Sequence, residues 1–283
     1  MADLVCTVCR ARRAGKVVFT EFGIDVIRCP ECGHIMSSFQ ADQNYDEYFD
    51  QPGRLEAFWW DQAHRPMYED FCRYLLPART GRLLDVGAGL GYFVRTIGRE
   101  SNWDAYGCEI SSGAVRYARE VLGVTSITCG KLEEAGYPPS SFDLITLWDV
   151  IEHIPDPDLL LTQIRKLLKP EGGLFIHTPN APVQLLKARV KKTIKGERTE
   201  AHYLEARDHI NLYSVTGITR VLERCGFSGV RFQHLSPIQS IAGSNKAVFR
   251  VIKNGYFVAA RTLSWVTGGN INIDNLFVTA IKP

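Results

Sequence analysis

The 283 residues carry a net charge of +2, with 45% hydrophobic and 23% charged residues. Those averages exclude a disordered chain and a strongly basic nucleic-acid coat, and they predict a sizeable core in one domain with additions or in two small domains. The opening MADLVCTVCR lacks an apolar leader core, and there is no run of about 18 apolar residues to span a bilayer.

The chain begins with Cys6-x2-Cys9 and Cys29-x2-Cys32, nineteen residues apart. Four thiolates at that spacing suit tetrahedral zinc, so residues 1–42 are expected to form a zinc ribbon. A closed four-sulfur site is structural, which leaves His34 outside the ligand set. The remaining cysteines, Cys72, Cys108, Cys129 and Cys225, are scattered, a pattern of reduced thiols that points to the cytoplasm. Residues 43–80 read as a helical linker or lid, in which Trp59, Trp60 and Phe71 bury against a core.

From residue 81 to 283, strands and helices alternate. RLLDVG is a strand and YFVRTIGRE a helix; WDAYGCE is a strand, followed by a helix with Ser111 or Ser112 as N-cap. VTSIT and FDLITLW are strands. DPDLLLTQIRKLLKPEGG reads as a helix stopped by Pro170, and GLFIHTP as the next strand. The polar stretch at about 181–212 reads as an insertion over the site. SVTGITRVLERCGF is a helix capped by Ser214, and GVRFQHLS and LFVTAIKP are the final strands, with an amphipathic helical stretch over 244–269 between them. This order predicts an α/β fold with a mostly parallel sheet covered on both faces.

The first strand ends in Asp85-x-Gly87-x-Gly89-x-Gly91. A dinucleotide fingerprint starting at Gly87 would need glycine at 92, which is Tyr92. DxGxGxG instead resembles motif I of class I S-adenosylmethionine-dependent methyltransferases. Glu109, at the end of the second strand, is placed to accept both hydroxyls of a ribose diol. FDLITLWDVIEHIPDP, LLKPEGGLFIHTPN and HINLYSVTGITRVLERCGF resemble, in order, segments of the branch that includes ubiquinone-type O-methyltransferases. The resemblance implies a seven-stranded Rossmann-like sheet with its last strand antiparallel. It also implies an S-adenosylmethionine site made of Asp85, Gly87, Ala88, Gly89, Gly91, Glu109, Ile110, Lys131, Leu132 and Trp148. Lys131 stands where members of the family often carry an acid for the adenine, so backbone groups near Lys131 and Leu132 are expected to read that ring.

Asp149, Glu152 and His153 form a DxxEH sequence where the family carries ExxEH, linked there to divalent metal. Spaced at i, i+3 and i+4, they would share one face of a helical turn. That trio is a candidate for a divalent cation such as Mg2+, or His153 for a general base oriented by Glu152, or the group only shapes the pocket. His209 and His177 are further candidates at the rim, and His202 and Tyr203 would reach substrate only if the insertion folds inward. The run KARVKKTIKGER, six Lys or Arg against one Glu, is either a solvated face or a phosphate- or membrane-attracting patch.

The leading expectation is O-methylation of a small-molecule, glycan or lipid-linked intermediate, with peripheral membrane contact as an option and the oligomeric state open. An RNA methyltransferase docking through the ribbon is the alternative. It is disfavoured because the ribbon has no basic excess and the chain lacks an Asn/Asp-Pro-Pro-aromatic motif. The third reading is a zinc-bearing interaction protein with a relic cofactor pocket.

Overall fold

A computed structural model describes residues 5–40, 54–76, 80–196, 203–236 and 275–283, with isolated positions between 255 and 267. The helical stretch expected over 244–269 falls largely outside these residues, as do His202 and the side chain of Trp59.

The ribbon is an antiparallel sheet of β1 (Lys16–Glu21), β2 (Ile24–Arg28) and β3 (Ile35–Ser37). The helix α1 (Arg54–Tyr74) follows, and then the alternating units: β4 (Arg82–Val86), α2 (Tyr92–Glu100), β5 (Asp104–Glu109), α3 (Ser112–Glu120), β6 (Ile127–Cys129) and β7 (Phe142–Trp148). Next come α4 (Pro157–Leu167), β8 (Leu168–Pro179), α5 (Ala181–Lys195), the two-residue β9 (Asn211–Leu212), α6 (Val215–Arg224), β10 (Ser228–Phe232) and β11 (Asn275–Ile281).

The seven-stranded sheet has the order β10-β11-β8-β7-β4-β5-β6. Strands β8, β7, β4, β5 and β6 run parallel, and β11 is antiparallel to both β8 and β10, as expected. The chain moves outward from β4 through β5 to β6 and then returns to β7 on the other side of β4. That reversal opens a crevice at the carboxyl ends of β4 and its neighbours.

Central strands covered on both faces bury consecutive side chains, which is why LLDV and ITLW are apolar runs without alternation. One face packs Leu84, Ile145 and Leu174 against Leu161 and Ile164 of α4 and Ile218 and Leu222 of α6. The other packs Leu83, Trp148, Phe175 and Phe277 against Met67 and Phe71 of α1 and Phe93 and Ile97 of α2. Ser111 and Ser214 cap α3 and α6, accepting the N–H groups of Ala114 and Gly217.

The helix α4 ends at Leu167, three residues before the Pro170 expected to stop it, and residues 168–173 belong instead to the twelve-residue strand β8. A residue before proline disfavours the helical region, and Leu168 already pairs with Phe142 of β7. The expected insertion contains the helix α5 and the strand β9, and β9 pairs with β3, Ile35 opposite Leu212. The ribbon sheet therefore closes with a strand from the other end of the chain, in the order β1-β2-β3-β9. No helix among the described residues is long and apolar enough to cross a membrane.

Candidate active site

Glycine carries the turn at the end of β4 because the backbone is left-handed there, with φ of 74°, 50° and 84° at Gly87, Gly89 and Gly91. Two of these positions are also crowded by the protein itself. A Cβ on Gly87 would lie 2.4 Å from Val150 Cγ2, and one on Gly91 would lie 2.9 Å from both Ala118 and Ile127. The turn is pinned to β5, since the Gly87 and Ala88 N–H groups donate to the Cys108 carbonyl at 2.8 and 3.1 Å.

Asp85 is buried on the last turn of β4 and accepts a hydrogen bond from Thr146 Oγ1 at 2.6 Å. Burial, reinforced by the nearby Glu109, pushes its pKa up to about 8 against the pull of Thr146. Glu109 accepts the Gly89 N–H on Oε2 and the Ser111 N–H on Oε1, both at 2.8 Å. Burial raises its pKa, while those N–H groups lower it. Each of its oxygens has a lone pair to spare, so the carboxylate fits a diol while bracing the glycine turn. Ile110 is half-buried beside it. Lys131 extends an exposed side chain and Leu132 a buried one. Their loop is anchored at Glu109, whose carbonyl accepts the Gly130 N–H at 2.9 Å. Trp148 is buried among Tyr68, Phe71, Phe93 and Phe175, with its indole Nε1 unpartnered among the described residues.

At the ends of β7 and β8 the arrangement departs from a single helical face. Asp149 has φ 51°, and only Ile151–His153 form a 3-10 turn. Asp149 therefore points away from the expected trio toward His177, with Oδ1 3.1 Å from Nδ1 but without hydrogen-bond alignment. Burial pushes the Asp149 pKa up, but His177, His64 and His153 together hold it below the usual range.

Glu152 and His153 are joined by His209 instead, with one ligand-capable atom from each within 4.8 Å of the others. Thr178 Oγ1 donates to Glu152 Oε2 at 3.0 Å, whereas Oε1 is buried and unpartnered among the described residues. Burial, then the charge of Asp149, raises the Glu152 pKa well above the carboxylate range. His153 Nδ1 lies 2.9 Å from the Asp208 carbonyl and His209 Nδ1 3.1 Å from that of Leu204. A carbonyl only accepts, so each of these two bonds takes a proton on Nδ1; His209 Nε2 also lies 3.5 Å from Glu205 Oε2. Burial, then His209, lowers His153 to about 4; burial also lowers His209.

The four ribbon cysteines also converge within 4.8 Å, with Cys6 and Cys32, and Cys9 and Cys29, each 3.6 Å apart at sulfur. That separation matches the edge of a tetrahedron with Zn–S of about 2.3 Å. Arg10 and Gly33 hold matching left-handed positions, φ 61° and 74°, after the two knuckles. Arg10 then reaches Asp156 at 2.7 Å and also Asp158, which is paired in turn with Arg224 at 2.5 Å.

Sequence reasoning missed Thr146, Thr178, Asn211 and Glu21. The two threonines were signalled as lone hydroxyls inside otherwise apolar strands. Asn211 is fully buried, accepting from Thr7 Oγ1 at 2.5 Å and donating to the Ile154 carbonyl at 2.7 Å. Neither it nor Glu21 has a local signal, because their partners lie far along the chain. Tyr203 hydrogen-bonds the Gly196 carbonyl at 2.9 Å rather than entering the site.

The sequence model of the family described as "Methyltransferase domain" matches residues 59–231. A ubiquinone biosynthesis O-methyltransferase from Neisseria meningitidis serogroup C is 27% identical over 141 residues, 45% of this chain and 59% of that protein. This chain thus spans about three fifths of that relative's length. The counterpart from Bordetella avium is 24% identical over 233 residues, 74% of this chain and 93% of its own. Among solved structures, Haemonchus contortus phosphoethanolamine N-methyltransferase 2, in complex with S-adenosyl-L-methionine, has a TM-score of 0.57 at 20% identity. The match covers 85% of this chain and 60% of that one, and the likeness is one of fold.

Proposed function

Because the chain belongs to the methyltransferase-domain family, with its class I fold, we propose that it transfers a methyl group from S-adenosylmethionine to a hydroxyl oxygen. The acceptor would be a small-molecule, glycan or lipid-linked intermediate. The cofactor, when bound, supplies an electrophilic methyl on sulfonium. Asp85 and the turn at 87–91 would hold its methionyl part and Glu109 its ribose, while Lys131 and Leu132 border the adenine. Much of the acceleration then comes from aligning nucleophile and methyl in line.

The observation that carries the oxygen acceptor is the group of Glu152, His153 and His209. A histidine lowered to about 4 is a weak proton acceptor at neutral pH but is already the neutral ligand a cation needs. The group therefore fits a divalent cation better than a lone base. Two imidazoles with one carboxylate suit a first-row transition metal better than Mg2+, which prefers oxygen. Such a cation would supply Lewis acidity that makes a nearby hydroxyl easier to ionise. The four-cysteine cluster fits a single structural zinc. The buried Trp148 Nε1, His177 Nε2 and Tyr213 hydroxyl, without hydrogen-bond partners among the described residues, are polar groups with which to orient an acceptor.

The outer face of α5 supports a lipid-linked acceptor. Leu186, Val190 and Ile194, one turn apart, are 63%, 49% and 77% exposed, on a helix with five Lys or Arg and no acid. Arg189 and Lys192 bond the Val18 and Thr20 carbonyls of the ribbon, and the exposed Lys191 lies beside the stripe. Such a face suits an anionic membrane interface.

Calorimetry with S-adenosylmethionine, S-adenosylhomocysteine and NAD tests the class, followed by methyl transfer to hydroxylated small molecules and to RNA. Micromolar binding of the sulfur compounds alone, with methyl incorporated at oxygen, is expected. Binding of NAD, or methylated RNA, would sink the reading.

A further inference from the structure

Glu21 ends ribbon strand β1 and is 5% exposed. Its oxygens accept three backbone N–H groups of one loop: Tyr203 and Leu204 (3.2 Å) on Oε1, and Ala206 (2.8 Å) on Oε2. Leu204 links this carboxylate to the candidate active site through the two peptide groups that flank its Cα. Its N–H is held by Glu21, and its carbonyl oxygen receives Nδ1 of His209.

The same loop carries the carbonyl of Asp208 that receives Nδ1 of His153. The N–H groups of Asp208 and His209 both return to the Glu205 carbonyl at 2.8 Å, closing the loop on itself. Strand β3 fastens its far side: Ser37 Oγ donates to the Ala206 carbonyl at 2.5 Å and the Ser37 N–H to the Ile210 carbonyl at 2.9 Å. Both imidazoles thus take their orientation from a loop whose own peptides are oriented by the ribbon.

We propose that Glu21 is a positioning residue for methyl transfer: by fixing the backbone around Leu204 it sets the tautomer and placement of His209. The ribbon sheet then acts on the acceptor edge as well as covering it. This rests on the reading of His209 as part of the reacting centre. A carboxylate is suited to the task because it only accepts. Glutamine has the same shape but turns one acceptor into a donor facing the loop N–H groups.

The test is Glu21→Gln in the full-length, zinc-loaded protein, read by long-range 1H–15N NMR of the histidine rings, by turnover and by S-adenosylhomocysteine binding. His209 should lose its uniform Nδ1–H form and kcat should fall about 10- to 100-fold, the range for outer-shell partners of ligating histidines. Cofactor-product affinity should stay within about twofold, because Glu109 and the glycine turn make no contact with this loop among the hydrogen bonds above. In a His209→Ala background the same substitution should cost clearly less than in the native protein, since only the path through the Asp208 carbonyl to His153 remains.

An unchanged His209 tautomer, or a loss that adds in full to that of His209→Ala, overturns the proposal. If Glu21→Gln does not fold, Ser37→Ala removes the hydroxyl that donates to the Ala206 carbonyl and accepts the Phe39 N–H, and should shift His209 the same way by less. No response of the ring there also overturns it. Should the native protein fail to bind the cofactor product at all, the methyltransferase reading falls, while the tautomer still decides the role of Glu21.

Discussion

The two edges of the crevice are built differently. The edge proposed for the cofactor centres on two short stretches, Asp85–Gly91 and Glu109–Ser111, whose carboxylates are already paired: Glu109 braces Gly89 and Ser111, and Thr146 holds Asp85. The acceptor edge draws on Glu21, Ser37, the turn at 149–153, the end of β8 and the loop at 203–212. It keeps buried polar atoms without hydrogen-bond partners among the described residues, including Glu152 Oε1 and His177 Nε2. A shared cofactor can be met by a local, self-satisfied frame. A particular acceptor needs groups left available, and holding them in place takes bonds from distant parts of the chain.

The contrast is broken most severely by exchanging defects between the edges. His153→Ala should cut turnover about a hundredfold or more, by loss of an acid–base or metal-ligand group, while sparing S-adenosylhomocysteine binding. Glu109→Ala should weaken that binding about 10- to 100-fold, the loss of ~1.5–3 kcal/mol for hydrogen bonds to a charged group. Equal effects of either variant on binding and turnover would dissolve the distinction between the edges.

A smaller effect tests whether the glycine turn serves the protein before the cofactor. Gly87→Ala forces a side chain into left-handed backbone and onto Val150, which should cost about 1–3 kcal/mol of stability without any cofactor present. A urea midpoint equal to the native one would assign the glycine to ligand clearance alone.

The smallest is a slope. The folded protein keeps the Asp85 proton up to about pH 8, whereas the unfolded chain loses it near pH 4. Within that window the folded state binds more protons, so this residue's contribution to stability falls as pH rises. Asp85→Asn keeps an acceptor for Thr146 and removes the titration. Its urea midpoint should gain on the native one from pH 4 to pH 8, and a constant difference would show that Asp85 titrates normally.

The glycine turn, the acid at the end of β5 and the paired cysteines were legible because each is defined at short sequence range, on a strand end or a knuckle. The trio at 149–153 was legible only as a set of residue types. Its geometry was decided by the left-handed Asp149, which breaks the helical spacing and sends that carboxylate to His177.

The amino-acid sequence by itself determined the fold class, the alternation of strands and helices from β4 to β8, and the glycine turn proposed to frame the cofactor. Hydrophobic runs and helix caps act locally, and a glycine turn needs only its own dihedral angles. Tertiary structure alone decided that His209 joins Glu152 and His153, that β9 completes the ribbon, and that Glu21 holds the loop between them. Those choices depend on backbone N–H and carbonyl groups, which every residue carries and whose pairing only the folded chain defines.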